Sequence, residues 1–183
     1  FKDEGSKEVI VEKISYNENG DTLIFEQPLN NLKMVRNYNK NGELIEEKNL
    51  KDGKLNGKWI TYHINGQIMN ERNFKYGKRD GKHLWFYENG NLDKEEHYKE
   101  GTNIGLWAFY NKEGSKEGTW STYSKTGQLE KEENYNDGRK DGKHTWYHKN
   151  GQIYREVIYK DGKEDGKWIT YHENGEIYSE VIY

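Results

Sequence analysis

Histidines are the first residues here that could do chemistry. His63, His148 and His172 recur at one position of a repeated string, and His144 and His148 stand four residues apart. Imidazoles placed in this way raise the idea of a metal centre, because a zinc site gathers nitrogen donors at about 2.1 Å from the ion. Strand geometry argues against it. Positions four apart on a strand are roughly 13 Å apart, and equivalent positions of neighbouring two-strand units are roughly 10 Å apart. Surface or turn-flanking histidines are expected, with no metal and no cofactor. The same spacing disposes of the recurrent acids Glu47, Glu71, Glu95, Glu132, Glu156 and Glu180. Acid/base catalysis by two carboxylates needs a close, asymmetric pair with divergent pKa values, and a row of equals offers none. Pairing of these acids with Lys58, Lys82, Lys143 or Lys167 is expected, and no enzymatic activity. The string "DGKEDGK" lacks the ligand spacing of a calcium loop and has no helix behind it to make a phosphate cradle. It reads as turn chemistry.

Tryptophan is the remaining candidate. Trp59, Trp107, Trp120 and Trp168 lie two residues after a recurrent Gly, and Trp85 and Trp146 four after it. Both offsets have the same strand parity, so the six indoles should project from equivalent faces of their units. Such a row is either cross-strand packing or, with Tyr178, His148, His172, Glu156 and Glu180 beside it, a hot-spot surface for a protein partner.

The elements that position these residues are repeats. "GKWITYHENG" (166–175) nearly duplicates "GKWITYHING" (57–66). The anchors Gly57, Gly81, Gly105, Gly118, Gly142 and Gly166 recur at a constant interval, broken once by the shorter step from Gly105 to Gly118. Degenerate copies extend toward the N-terminus, with anchors at Val11 and Lys33 and turns at "ENG" (18–20) and "KNG" (40–42). Period-two hydrophobicity, β-branched and aromatic residues and a single Pro give strands. Asn89-Gly90, Asn150-Gly151 and Asn174-Gly175 mark one end of each hairpin, and Asp161-Gly162 and Asp165-Gly166 the other. The predicted fold is all-β: an elongated, single-layer antiparallel meander of tandem hairpins of about 24 residues, solenoid-like.

Loop length decides which side chains share a face, because a one-residue slip exchanges the faces. A two-residue "NG" loop places Ile169 and Tyr171 with Glu176, Tyr178 and Glu180. A three-residue "ENG" loop with Gly175 as a bulge places them with Ile177, Val181 and Tyr183, and puts Glu180 beside Trp168. The second is preferred because it collects the aliphatic residues on one face. After "GLWAFYNKEG" the chain runs directly into "SKEGTW", so one return strand is missing. The expected organisation is a degenerate repeat or cap at 1–32, a first block at 33–111, a seam at 112–117 and a second block at 118–183. A looped-out but continuous ladder is the alternative at the seam.

Apolar residues make up 31% of the 183 residues, too few for a thick core, whereas six Trp and fifteen Tyr suit a thin aromatic layer. Acidic and basic residues are nearly balanced, with a net charge of −3, and no basic stripe suggests nucleic acid. No apolar run is long enough to cross a bilayer as a helix. Opening at Phe1 without Met slightly favours an exported or cell-surface protein over a cytoplasmic one, and stopping at Tyr183, where "KDG" is due, suggests a longer natural chain.

"YKDGKEDGKWITYHENGEI" (159–177), "YNDGRKDGKHTWYHKNGQI" (135–153) and "LKDGKLNGKWITYHINGQI" (50–68) resemble the membrane occupation and recognition nexus (MORN) repeat. The likeness is closer to its bacterial variant, the YwqK-like toxin–antitoxin antitoxins. It runs from about residue 33 to 183. Trp or His replaces the Gly that the eukaryotic repeat carries two residues beyond the anchor, and the "YEG" of its return strand is absent. The resemblance implies a binding sheet whose partner is a protein, a toxin or a surface protein. "GKWITYHENG" also resembles the units of bacterial choline-binding and glucan-binding repeats, which imply a secreted module that recognises a cell-wall glycan; those units are shorter than the ones in this chain.

Overall fold

A computed structural model describes residues 10–16, 22–27 and 31–182. The chain divides into two compact units, residues 1–78 and 79–183. Among the described residues every regular element is a β-strand. In the first unit, β1 (Ile10–Tyr16), β2 (Thr22–Gln27), β3 (Leu32–Tyr38), β4 (Leu44–Lys51), β5 (Lys54–Tyr62) and β6 (Ile68–Lys75) pair in chain order, each antiparallel to the next. The degenerate anchors Val11 and Lys33 fall within β1 and β3. The turn expected at 18–20 lies outside the described residues, whereas the turn at 40–42 is closed by Asn39 N–H donating to Glu43 O at 2.9 Å.

The second unit continues the same pattern. Its strands are β7 (Lys78–Phe86), β8 (Leu92–Lys99), β9 (Thr102–Asn103), β10 (Gly105–Phe109), β11 (Gly118–Tyr123) and β12 (Leu129–Asn136), followed by β13 (Arg139–Lys140), β14 (Gly142–Tyr147), β15 (Ile153–Lys160), β16 (Lys163–Tyr171) and β17 (Ile177–Ile182). All its pairings are antiparallel. Within each unit the tandem-hairpin meander expected from the sequence is the observed fold.

Turn chemistry fixes both ends of each hairpin. At the "ENG" end His172 N–H donates to Glu176 O (2.8 Å) and Gly175 N–H to His172 O (2.9 Å), enclosing a three-residue loop. Gly175 sits at φ 85°, a left-handed conformation that strains a residue with a Cβ. At the other end Lys160 pairs with Lys163 around Asp161 (φ 49°) and Gly162 (φ 85°), a two-residue turn whose twist matches that of the strands. The second dipeptide, Asp165-Gly166, is not a turn, since it lies inside β16.

The three-residue loop is as preferred, but the faces beyond it are not. Tyr171 faces Ile177, yet Thr170 faces Ser179, Ile169 faces Glu180 and Trp168 faces Val181. Tyr178 is an extra residue, a bulge three positions beyond the loop that returns the register to the other parity. The same shift recurs at Ile45, Met69, Asp93, Glu130 and Tyr154. The expected company of Glu180 and Trp168 on one face is therefore incorrect. Residues directly opposite each other share a face, so each recurrent Glu lies behind its tryptophan.

At residues 112–117 the ladder does not stop. Asn111 N–H donates to Ser115 O (2.9 Å), Tyr110 bridges to Lys116, and β10 pairs directly with β11 through Gly105↔Tyr123 and Trp107↔Ser121. The missing return strand makes two Trp-bearing strands antiparallel neighbours. Direction reverses there, as the strand count requires, and so does the face. Leu84, Glu95 and Ala108 face one another, which leaves Trp85 and Trp107 on the opposite side. Trp107 faces Ser121, so Trp120 lies on the Ala108 side. Trp120 is followed there by Trp146 and Trp168, through Glu133, Lys131, Arg155 and Thr170.

The core is correspondingly thin and two-sided. On one face Trp85, His83, Tyr98, Trp107 and Tyr123 run in ring contact, with centroids 4.8–6.2 Å apart. On the other, Tyr110, Trp120, Tyr135, His144 and Tyr159 do the same at 4.6–5.8 Å. Tilted and edge-on rings of this kind gain roughly 0.5–1.5 kcal/mol per pair beyond their burial. Ala108, Val157, His83 and His144 are fully buried.

Candidate functional site

The recurrent acids are engaged in structural pairs. Lys58–Glu71 (2.9 Å), Lys82–Glu95 (2.9 Å), Lys143–Glu156 (2.7 Å) and Lys167–Glu180 (2.6 Å) join the strand after each anchor Gly to its own return strand. These are the four lysines expected. Other contacts of the recurrent acids run between hairpins: Tyr62 donates to Glu47 (2.9 Å), Tyr147 to Glu132 (2.7 Å) and Tyr171 to the second oxygen of Glu156 (3.1 Å). Burial, and then these hydrogen bonds to carboxylates, push the hydroxyls of Tyr62 and Tyr147 up to about 12. Glu156 is thus held by Lys143 and Tyr171, and Glu47 by Arg36 (3.3 Å) and Tyr62, on the face away from the tryptophans of their own blocks.

The indoles are covered by cations from the same sheet. Arg72 lies 3.9 Å above the Trp59 ring, Lys94 4.4 Å above Trp85, Lys116 4.0 Å above Trp120 and Arg155 3.8 Å above Trp168, with Trp146 also 5.3 Å from Arg155. Each contact is worth about 0.5–2 kcal/mol. Trp120 is buried and donates its N–H to Phe109 O at 2.8 Å; the other five indoles are half-buried. The reading of the row as packing thus has a physical content that sequence reasoning missed. Its signal was there: a basic residue adjoins the Glu on the return strands, at Lys48, Arg72, Lys94, Lys131 and Arg155.

One histidine was misjudged, and another, His83, was passed over. His144 is fully buried, not surface, and its Nε2 bonds to Asn134 O at 2.9 Å. His83, equally buried, holds the same repeat position. Both lie two after the anchor in the two units whose Trp lies four after it, so imidazole fills the slot that indole fills elsewhere. Burial pushes the His144 pKa down, against the Asn134 carbonyl and the Glu133 carboxylate (3.8 Å from Nδ1), which favour the proton. Among the described residues no three His, Cys, Asp or Glu side chains are grouped to hold a metal ion.

At the "NG" ends the remaining candidates come together. His148 packs edge-on against Tyr154 and His172 against Tyr178, each at 5.0 Å between ring centres. His148 and His172 share strand parity with Trp146 and Trp168 respectively, so imidazoles and indoles lie on one face. Tyr178 is 68% and Tyr154 44% exposed. Of the predicted surface, the structure therefore assembles Trp120, Trp146, Trp168, His148, His172 and Tyr178. It separates from them Glu156, Glu180, Trp85 and Trp107, while Trp59 belongs to the other unit.

Comparison with known proteins agrees with this geometry. The family model described as "MORN repeat variant" matches residues 55–76, 79–100, 116–137, 140–161 and 164–183, more than half of the chain. No curated protein matches the chain. Repeats of this type are non-enzymatic modules that bind proteins or membranes. No described helix is long and apolar enough to cross a membrane.

Proposed function

Since the chain belongs to the MORN repeat variant family, we propose that it is a non-enzymatic protein-binding scaffold of the antitoxin or immunity type. Its partner is a toxin, covered by the Trp-bearing face of the last repeats. One observation carries this reading. The acids, the buried histidines and His148 are engaged in contacts within and between hairpins, whereas His172, Tyr154 and Tyr178 stand exposed, the two tyrosines packed on His148 and His172. Rigid aromatic edges flanked by polar groups supply large contact area at low entropic cost, as hot spots do. A glycan or quaternary amine would have to displace Arg155, Lys94 or Lys116 from the indole faces, so the protein partner is favoured over the glycan.

The test is affinity capture with mass spectrometry, using wild type and a His172→Ala/Tyr178→Ala double variant. The wild type is expected to retain one toxic protein encoded beside it, and the double variant to lose it without a change in melting temperature. Retention of the same partner by the double variant contradicts the assigned face.

A further inference from the structure

Three of the three-residue loops in the second unit are tied to a neighbouring loop by a side-chain amide. Asn89 Nδ2 donates to Lys112 O (2.8 Å), Gln128 Nε2 to Lys149 O (2.6 Å) and Asn150 Nδ2 to Glu173 O (2.8 Å), and the acceptor is each time the first residue of the receiving loop. In the first unit the corresponding tie, from the loop at 40–42 to Ile64 O, is not made. Asn39 turns back on its own hairpin, donating from Nδ2 to Glu43 Oε2 at 2.7 Å and accepting the amides of Asn41 and Glu43 at 2.9 and 3.0 Å. Asn41 stands where Asn150 does, and its side chain reaches no partner among the described residues. Between the two loops lies a cavity of about 300 Å³, lined by Glu43, Leu44, Ile45, Tyr62 and Ile64 among others.

Two features of the lining point to what it receives. Ile64 is 77% exposed at the first position of its loop, where other copies carry a charge: Lys40, Glu88, Lys112, Lys125, Lys149 and Glu173. An isoleucine left in water there adds little to the fold, but it supplies an apolar wall, as does the exposed Ile45. Glu43 is the only carboxylate of the lining, and it forms no ion pair among the described residues, whereas Glu46 and Glu47 on β4 are paired with Lys48 and Arg36. With Oε2 taken by Asn39, its Oε1 is left for a partner. An apolar lining with a single anion suits an alkyl chain that ends in a cation, which buries its stem and keeps its head wet. Lysine fits better than arginine, because one open oxygen meets one ammonium and does not take the two-pronged contact of a guanidinium. A free small molecule is poorly served, since sites that hold one bury most of its surface, and a wall that is itself largely exposed does not.

We propose that the cavity between the loops at 40–42 and 64–66 receives a lysine side chain presented by a protein partner, its methylenes against Ile45, Tyr62 and Ile64 and its ammonium at Glu43 Oε1. This goes beyond the toxin-binding reading and does not rest on it, because the cavity lies in the first unit and His172 and Tyr178 in the second.

The probe is the capped tripeptide acetyl-Gly-Lys-Gly-amide, titrated into the full chain with backbone amide NMR as the readout, beside the same peptide carrying norleucine in place of lysine. Saturable shifts at residues 39–45 and 62–66 are expected, with millimolar affinity. Norleucine, which keeps the stem and loses the charge, should bind about threefold to fivefold more weakly. Glu43→Gln should weaken the lysine probe by the same factor and leave norleucine unchanged. Ile64→Lys, which installs the residue found at this place in four other copies, should weaken both probes about fivefold or more. Both variants change exposed side chains, and the amide spectra report directly that the fold is kept. Absence of saturable shifts, equal binding of lysine and norleucine, or indifference to either substitution overturns the inference. None of these results bears on capture of a toxin through His172 and Tyr178, so the two readings fail separately.

Discussion

His144 and the tyrosines are the residues at which solution conditions act most directly. Burial holds His144 below its ordinary 6.5, so the unfolded chain takes up a proton first as the pH falls. Its contribution to stability is full above pH 6.5 and declines as acid is added, until the folded imidazole is itself protonated. His144→Phe should flatten the slope of melting temperature against pH just below 6.5, whereas an unchanged slope would assign the acid sensitivity elsewhere. The tyrosines act with the opposite sign. Tyr62, Tyr98, Tyr135 and Tyr147 are raised to about 12, chiefly by burial, so stability is lost as pH rises from 10 through that value. Spectroscopic titration should show these phenols ionising well after the exposed ones. Sequence alone located His144 on a strand but not its burial, because the slot it fills is defined by the indoles of neighbouring repeats.

Arg155 and Gly142 carry the predictions that belong to the strands. Arg155 spans Trp146 and Trp168 and ties β15 to the strands on both sides. Arg155→Ala should cost about 0.5–2 kcal/mol and alter Trp emission, with Arg155→Lys recovering part of both. Gly142 sits at φ 93° where β12 pairs with β13 and β14, and Asn134 folds over it to donate to Lys143 O. Gly142→Ala should cost about 1–3 kcal/mol through the left-handed backbone alone, read from denaturant midpoints. The hairpins themselves were legible, because Asn-Gly and Asp-Gly accept the left-handed backbone that tight turns need, although Asp165-Gly166 shows the same dipeptide inside a strand. The bulge beyond each loop was not. Its extra residue is Ile45, Met69, Asp93, Glu130, Tyr154 or Tyr178, a set with no shared chemistry, so the parity of the faces could not be read from a local pattern.

At the scale of the molecule, the regular period of the sequence becomes a period of docking contacts, and its single short step, from Gly105 to Gly118, becomes a change of face. The tandem fold was legible because each copy repeats its neighbour's turns and strands. The candidate surface was legible only in part: Trp146, Trp168, His148, His172 and Tyr178 are brought together, but Glu156 and Glu180 are not. A protein built this way gains stability from interfaces between neighbouring repeats more than from any one hairpin.

Amide hydrogen exchange tests that docking most directly. Backbone N–H groups in two-residue turns ordinarily exchange fast, but those of Glu100, Gly101, Asp137, Gly138, Asp161 and Gly162 each donate to the preceding hairpin. They should be protected, with Asp80→Ala, Glu117→Ala and Asp141→Ala each releasing the one amide that its carboxylate accepts. Exchange of all six at the rate of an unstructured peptide would contradict the repeat-on-repeat ladder from which the exposed binding face was derived.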